Sequence, residues 1–110
     1  METTPDILKK VKAYIQAIEP QAEIILFGSR ARGEGRPDSD WDILILTPGE
    51  ANLQMEQLFR HKLFELELEY GQAISTFLFS KSDWNTRHRI TPLYQSVEKE
   101  GIVLCNPPEH

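Results

Sequence analysis

The sequence has few of the features of a secreted, membrane-spanning or nucleic-acid-coating protein. It holds a single cysteine, Cys105, so no internal disulfide can form. No apolar run approaches the roughly 20 residues that span a bilayer, and no basic-then-apolar leader opens the chain. These absences predict a cytoplasmic protein that does not enter a membrane.

Positive charge is also scarce. The chain has 12 Lys and Arg residues against 17 Asp and Glu residues, a formal net charge of −5. Binding of extended nucleic acid depends on neutralising many phosphates, which this balance does not favour. Because the basic residues concentrate in segments 30–36 and 87–89, the pattern favours one small phosphate-bearing ligand over a long polyanion.

What is present fits one globular domain over residues 1–110, with room for a single modest core. Hydrophobic periodicity and turn residues predict an α/β (α+β) fold in which helices pack on a small mixed sheet. The predicted long helices cover 5–18, 51–70 and 91–100, and the predicted strands cover 22–27, 41–47, 73–79 and 102–104.

Local signals add detail to these elements. Thr4 is the predicted N-cap of the first helix, and Gly71 is the predicted end of the second. A short helix is predicted from Ser29 to about Arg32, and Ser82 or Asp83 is predicted to cap a helical turn over Trp84. Six apolar residues of the second helix are predicted to face inward: Leu53, Leu58, Phe59, Leu63, Phe64 and Leu66.

The stretch between the first two strands concentrates the unusual residues. The apolar run Ile24–Phe27 ends at Gly28-Ser29, where forward-pointing backbone N–H groups can bind an anion. Arg30, Arg32 and Arg36 add positive charge beside that turn, although Arg36 fits a solvated loop equally well.

Asp40 and Asp42 follow, two residues apart at the start of the next strand. Side chains at that spacing leave the same face of a strand, with Cα atoms about 6.5–7 Å apart. Two carboxylates so placed can converge on a pair of magnesium ions about 3.5–4 Å apart. A phosphate-binding turn followed by a metal-binding pair indicates nucleotide chemistry.

Gly28-Ser29, ten intervening residues and then Asp40-x-Asp42 resemble the signature of the DNA polymerase β-type nucleotidyltransferase superfamily. The chain resembles in particular its minimal nucleotidyltransferase (MNT) group, over about residues 5–104. The resemblance implies a polymerase β-like fold and transfer of a nucleoside monophosphate, expected to be AMP from ATP, to a hydroxyl group of a partner protein or a small molecule. It also implies that chains this short act as antitoxins on a helical HEPN-type partner protein.

The resemblance further implies roles for single residues. Gly28 and Ser29 would hold the β- and γ-phosphates, and Arg30 and Arg32 would contact phosphate. Asp40 and Asp42 would be catalytic and would ligate two Mg²⁺ ions.

The sequence departs from the family at one point. The family supplies a third carboxylate from the next central strand, whereas this strand has Ser75 or Thr76 at that place and no acid. Glu67 and Glu69 lie just upstream on a predicted helix. An alternative function is therefore a catalytically impaired module of this fold that binds a partner protein or a nucleotide without transfer.

Simpler explanations of the motif remain. Gly28-Ser29 alone would fit an ordinary strand-to-helix turn. An EF-hand calcium loop fails on spacing, because Ile43 and Gly49 stand where it needs glycine and glutamate. A Walker-type P-loop fails because no Gly-Lys-Ser/Thr follows a strand.

Overall fold

The computed structural model describes residues 5–106, and within them four helices and four strands form the fold. The helices are α1 (Asp6–Ile18), α2 (Leu53–Tyr70), α3 (Lys81–Asn85) and α4 (Pro92–Glu100). The strands are β1 (Glu23–Phe27), β2 (Trp41–Thr47), β3 (Ile74–Ser80) and β4 (Ile102–Cys105). The predicted strands and long helices are confirmed, with bounds that shift by two residues at most.

The strands form one mixed sheet in the order β3-β2-β1-β4. β1 pairs antiparallel with β2 and with β4, whereas β2 and β3 run parallel. Asp42 of β2 lies opposite Phe27 of β1 on one side and opposite Ser75 of β3 on the other. The sheet therefore places the acidic start of β2 between the end of β1 and the start of β3.

Helices cover both faces of the sheet, which explains the unbroken apolar runs of β1 and β2. Ile43 and Ile45 point into one buried cluster with α1 and α2, and Leu44 and Leu46 point into a second with Trp84 and Val97. Trp41 belongs to the first cluster, as predicted, and is only 6% exposed. Residues 41, 43 and 45 thus define one face of the sheet, and the even-numbered residues of β2 define the other.

The prediction for the buried face of α2 is wrong for three residues. Phe59, Leu63 and Leu66 are buried, but Leu53, Leu58 and Phe64 are 67%, 48% and 53% exposed. Apolar residues occur on every side of α2, so periodicity alone does not select the side that meets α1 and the sheet.

The helix ends are set by local hydrogen bonds. Asn52 caps α2 by accepting from the Met55 N–H at 2.8 Å, and Gly71 ends it in the left-handed conformation, as predicted. Ser80, rather than Ser82 or Asp83, caps α3 by accepting from the Asp83 N–H. That correction follows from β3 running directly into α3, which leaves its last serine in the capping position.

The N-cap predicted for the first helix, Thr4, lies outside the residues that the structure describes. None of the helices within residues 5–106 is long and apolar enough to cross a membrane.

Candidate functional site

Gly28 sits directly against the carboxylate of Asp42. Its φ of +79° lies in the left-handed region that favours glycine, and a Cβ built on it would collide with Asp42 Oδ2. Asp42 is the residue opposite Phe27 in the β1–β2 ladder, so the chain turns at Gly28 immediately over the acid. The Gly28-Ser29 turn and the acidic residues are therefore parts of one surface.

The turn after Gly28 is a compact set of hydrogen-bonded turns, not the predicted short helix. The N–H groups of Ala31 and Arg32 both donate to the Gly28 carbonyl, at 3.0 and 3.1 Å, and Glu34 donates to Ser29. Gly33, with a φ of +77°, stops the chain from continuing as a helix. Within residues 5–106, the Ser29 amide donates to no protein acceptor, so it remains available to an anion.

Asp40 and Asp42 share one face at the start of β2. Trp41 between them points to the opposite face, into the α1/α2 cluster. Asp40 Oδ2 accepts a hydrogen bond of 3.1 Å from the Ser75 hydroxyl, and Ser75 lies opposite Asp42 in the β2–β3 ladder. The two carboxylates and the serine hydroxyl thus form one group of oxygen atoms.

Negative charge in this group is poorly compensated. The pKa of Asp42 is raised above its ordinary value of 3.8, chiefly by burial and then by the charge of Asp40, while Arg32 acts in the opposite direction. A cation between the carboxylates would offset their mutual repulsion and favour the ionised form of both.

Of the two residues considered for the place of the expected third acid, Ser75 is the one that adjoins Asp40 and Asp42. Thr76, the other residue considered, pairs with Ile43 and therefore belongs to the opposite face of the sheet. Glu67 accepts from the Ile74 N–H at 2.9 Å, and Glu69 pairs with a lysine of α1. No third acidic, histidine or cysteine ligand joins the pair in the described part of the chain.

Arg30 has partners other than the predicted phosphates. Its guanidinium lies 4.1 Å from the centre of the Trp41 ring and donates to the carbonyls of Ser39 and Pro37 at 2.9–3.2 Å. Gly35 leaves room for this arrangement, because a Cβ there would approach Arg30 Cγ to 2.9 Å. Arg30 therefore stabilises the loop that precedes Asp40 at the start of β2.

Arg32 lies on the side of the acids. Its guanidinium pairs with Glu34 at 2.9 Å and with Glu100, the last residue of α4, at 2.6 Å. These carboxylates raise the pKa of Arg32, and Arg32 in turn lowers the pKa of Asp42. The third basic residue beside the turn, Arg36, is exposed.

Glu100 is the site residue that the sequence analysis missed. Only 17% of its side chain is exposed, and it reaches Arg32 across 68 positions of sequence. The available signal was an acidic residue in the last turn of a helix, where the helix dipole disfavours negative charge.

Comparison with known proteins identifies the family. The model of the nucleotidyltransferase domain matches residues 8–103. The chain is 30% identical to a Methanocaldococcus jannaschii protein that is provisionally named a protein adenylyltransferase, over 87% of this chain and 95% of that protein. The chain belongs to the nucleotidyltransferase domain family, and its domain is that of a transferase.

Solved structures at lower identity share the fold. A chain from the crystal structure of a toxin–antitoxin with AMP-PNP matches with a TM-score of 0.68 and 20% identity, covering 90% of this chain and 73% of that one. A chain from the Shewanella oneidensis complex of a tri-AMPylated HEPN toxin with its MNT antitoxin matches with a TM-score of 0.61 and 19% identity, covering 91% and 70%. The mixed α/β (α+β) nucleotidyltransferase fold implied by the resemblance is thereby confirmed.

Proposed function

We propose that this protein is a magnesium-dependent adenylyltransferase that transfers AMP from ATP to a hydroxyl group of a partner protein. The observation that carries the proposal is the contact between Gly28 and Asp42. Because only a hydrogen atom fits between that backbone and the carboxylate, a triphosphate at the turn and a cation at the acids would lie side by side.

On the nucleotide side, we assign the phosphates to the turn. The Ser29 amide and hydroxyl would donate hydrogen bonds to phosphate oxygens, and Gly28 keeps the approach open. Arg32 adds a guanidinium that is partly exposed and close enough to act on Asp42. Arg30 supports the site indirectly, by holding the loop through Ser39.

On the metal side, Asp40 and Asp42 would hold the magnesium, with two ions expected. The oxygen-only donor set, including the Ser75 hydroxyl, suits this hard cation. When bound, magnesium would neutralise phosphate charge and lower the pKa of the attacking hydroxyl. The raised pKa of Asp42 agrees with this assignment, since burial and then the charge of Asp40 disfavour its ionised form when no cation is bound.

The transfer balances without any further reactant. The acceptor hydroxyl oxygen forms a bond to the α-phosphorus of ATP, and the bond from that phosphorus to the bridging oxygen breaks. Pyrophosphate leaves with the bridging oxygen and its electron pair, and the hydroxyl proton passes to solvent.

For the acceptor, we propose a protein, and specifically a HEPN-type partner. A relative that covers most of this chain is named provisionally as a protein adenylyltransferase. The fold is shared with an MNT antitoxin solved with an AMPylated HEPN toxin. Use of ATP and such a partner agrees with the predicted cytoplasmic location.

Ser75 favours a second candidate, a binding module without transfer. A serine hydroxyl is neutral, so it offers weaker coordination than the family's third carboxylate. In that case the protein would bind its partner or a nucleotide through the same surfaces and leave the partner unmodified.

The test is an incubation with α-labelled ATP, magnesium and a purified HEPN-type protein from the same source. We expect covalent label on the partner that disappears with Asp42→Asn and with chelation of the metal. Tight binding of the unmodified partner, unaffected by Asp42→Asn, would instead support the binding module and contradict transfer.

A further inference from the structure

We infer that the acceptor binds at the outer edge of β3, which pairs with no further strand within residues 5–106, and that it does so as an extended segment added to the sheet. The inference rests on the proposed function, since it identifies the side from which the acceptor reaches the acids. It adds a defined surface and a recognition mode: backbone pairing with an extended hydroxyl-bearing segment.

The acids at the start of β2 lie between two neighbouring strands. On one side is β1, which ends in the Gly28-Ser29 turn, and on the other side is β3. Phosphates held at the turn occupy the β1 side. The β3 side, where Ser75 adjoins Asp40, is therefore the side left for the acceptor hydroxyl.

β3 ends the sheet, and its sequence Ile74–Ser80 contains no charged residue, proline or glycine. Proteins usually protect an edge strand with such residues, because unpaired backbone groups recruit other strands. The edge of β3 has none of these protections and is open to pairing.

Some backbone N–H and C=O groups of β3 point away from β2, toward the outer edge of the sheet. The Ile74 N–H donates to the Glu67 carboxylate at 2.9 Å, so it points away from β2. Successive residues of a strand direct their N–H and C=O groups to alternate sides, which turns those of Thr76 and Leu78 outward as well. An extended segment could therefore pair with Thr76 and Leu78, just beyond the amide that Glu67 already satisfies.

A groove of about 470 Å³ lies between α2 and β3, lined among others by Arg60, Phe64, Glu67 and Thr76. Phe64 is 53% exposed, which gives the groove an apolar wall for a bound side chain. Ser75, whose hydroxyl donates to Asp40, is among the residues that line this groove.

The distance from a segment paired with β3 to the acids follows from the spacing of strands in a sheet. Paired strands lie about 4.8 Å apart, so a residue paired beside Ser75 would lie roughly 10 Å from the backbone of Asp42. That residue would present its side chain on the same face as Ser75 and Asp42. A side-chain hydroxyl there would lie beside Ser75, on the face of the sheet that carries the acids.

The experiment uses the whole chain, labelled with ¹⁵N, and a synthetic peptide as the probe. The peptide has nine residues, alternating threonine and valine with one central serine and a lysine at each end. We expect it to slow amide hydrogen exchange at Thr76 and Leu78 by at least about fivefold at saturation. The same peptide N-methylated at alternate residues, which prevents pairing along one edge, should have no effect.

Variants separate the edge from the rest of the site. Thr76→Pro removes an outward amide at a place where an edge strand tolerates proline, so peptide binding should be lost while ATP and magnesium binding persist. Phe64→Ser should weaken peptide binding several-fold. Its control, Leu68→Ser, changes another exposed apolar side chain of α2 that lies outside the groove and should have no effect.

Three results would overturn the inference: equal binding of the N-methylated peptide, unchanged peptide binding by Thr76→Pro, or perturbation mapping to another surface. Protection of Thr76 that grows with protein concentration alone would assign the edge to a second copy and would also overturn it. Failure of the proposed function is distinct, since it appears as absence of ATP and magnesium binding in the unmodified chain.

Discussion

The two flanks of β2 differ in how tightly they are built. On the β1 flank, Gly28 packs against Asp42 so closely that a single added carbon does not fit, and Arg32 and Glu100 form an ion pair nearby. On the β3 flank, one serine hydroxyl meets Asp40, and the sheet ends in an open edge.

For the transfer of AMP that we propose, this difference indicates which half of the reaction the fold defines by itself. A triphosphate has a fixed shape and charge, so a rigid turn can be matched to it in advance. A protein acceptor brings its own structure, so the opposite flank can stay incomplete until the partner arrives.

The largest effect is expected for Gly28→Ala. The new Cβ would displace Asp42 and strain a backbone with a φ of +79°, so ATP-dependent transfer should fall on the order of 100-fold, the scale of a 1 Å misplacement. Labelled-ATP transfer and calorimetric ATP binding measure the loss.

Gly71→Ala is the matched control for Gly28→Ala. Its φ is +65°, but a Cβ there would have no neighbour within 4 Å. It should cost about 1–2 kcal/mol of stability and leave ATP binding unchanged. Equal loss of ATP binding in both variants would contradict a specific contact between Gly28 and Asp42.

A gain is expected for Ser75→Asp, which converts the weaker flank toward the family pattern. A third carboxylate beside Asp40 should tighten magnesium binding in the presence of ATP by about tenfold, because ligand charge sets cation affinity. Magnesium titration followed by calorimetry tests this. Thr76→Asp, on the opposite face, is the control, and an equal gain there would refute the placement of Ser75.

A smaller loss is expected for Glu100→Gln. The amide keeps the size of Glu100 but weakens its hold on Arg32, so ATP affinity should fall about threefold, as expected for a partly exposed ion pair. Glu34→Gln serves as a control on the other, more exposed partner of Arg32 and should have a smaller effect. Unchanged ATP affinity in Glu100→Gln would contradict the claim that Glu100 positions Arg32 for ATP binding.

The smallest effect concerns stability and pH. Because burial and Asp40 raise the folded-state pKa of Asp42, the folded protein binds the proton more tightly than the unfolded chain. The free energy of unfolding without magnesium should therefore include a component that falls as pH rises from 3.8 through the raised pKa. Asp42→Asn should lack this component and melt at a slightly higher temperature above that range, as thermal unfolding from pH 3 to 8 would show.

The sequence predicted the parts of the site that depend on neighbouring residues. β2 was predicted at Trp41–Thr47, its observed bounds, because an apolar run lies between acids and Pro48-Gly49. Because side chains alternate between the two faces of a strand, the sequence also predicted that Trp41 lies in the core and that Asp40 and Asp42 share the other face.

Contacts between distant segments could not be predicted in this way. Arg30 lies over Trp41 and its loop instead of the phosphate turn, and Glu100 reaches Arg32 from the far end of α4. Both depend on how elements pack, which a single sequence does not encode in its periodicity. The exposure of Leu53, Leu58 and Phe64 of α2 was not predicted for the same reason.

The most direct test of the central claim is calorimetric titration of ATP into the purified chain, with and without magnesium, beside the double variant Asp40→Asn/Asp42→Asn. The account predicts ATP binding that magnesium strengthens in the unmodified chain, and no magnesium effect in the double variant. Absence of ATP binding in the unmodified chain, or an equal magnesium effect in the double variant, would contradict the claim that the turn and the acids form one nucleotide site.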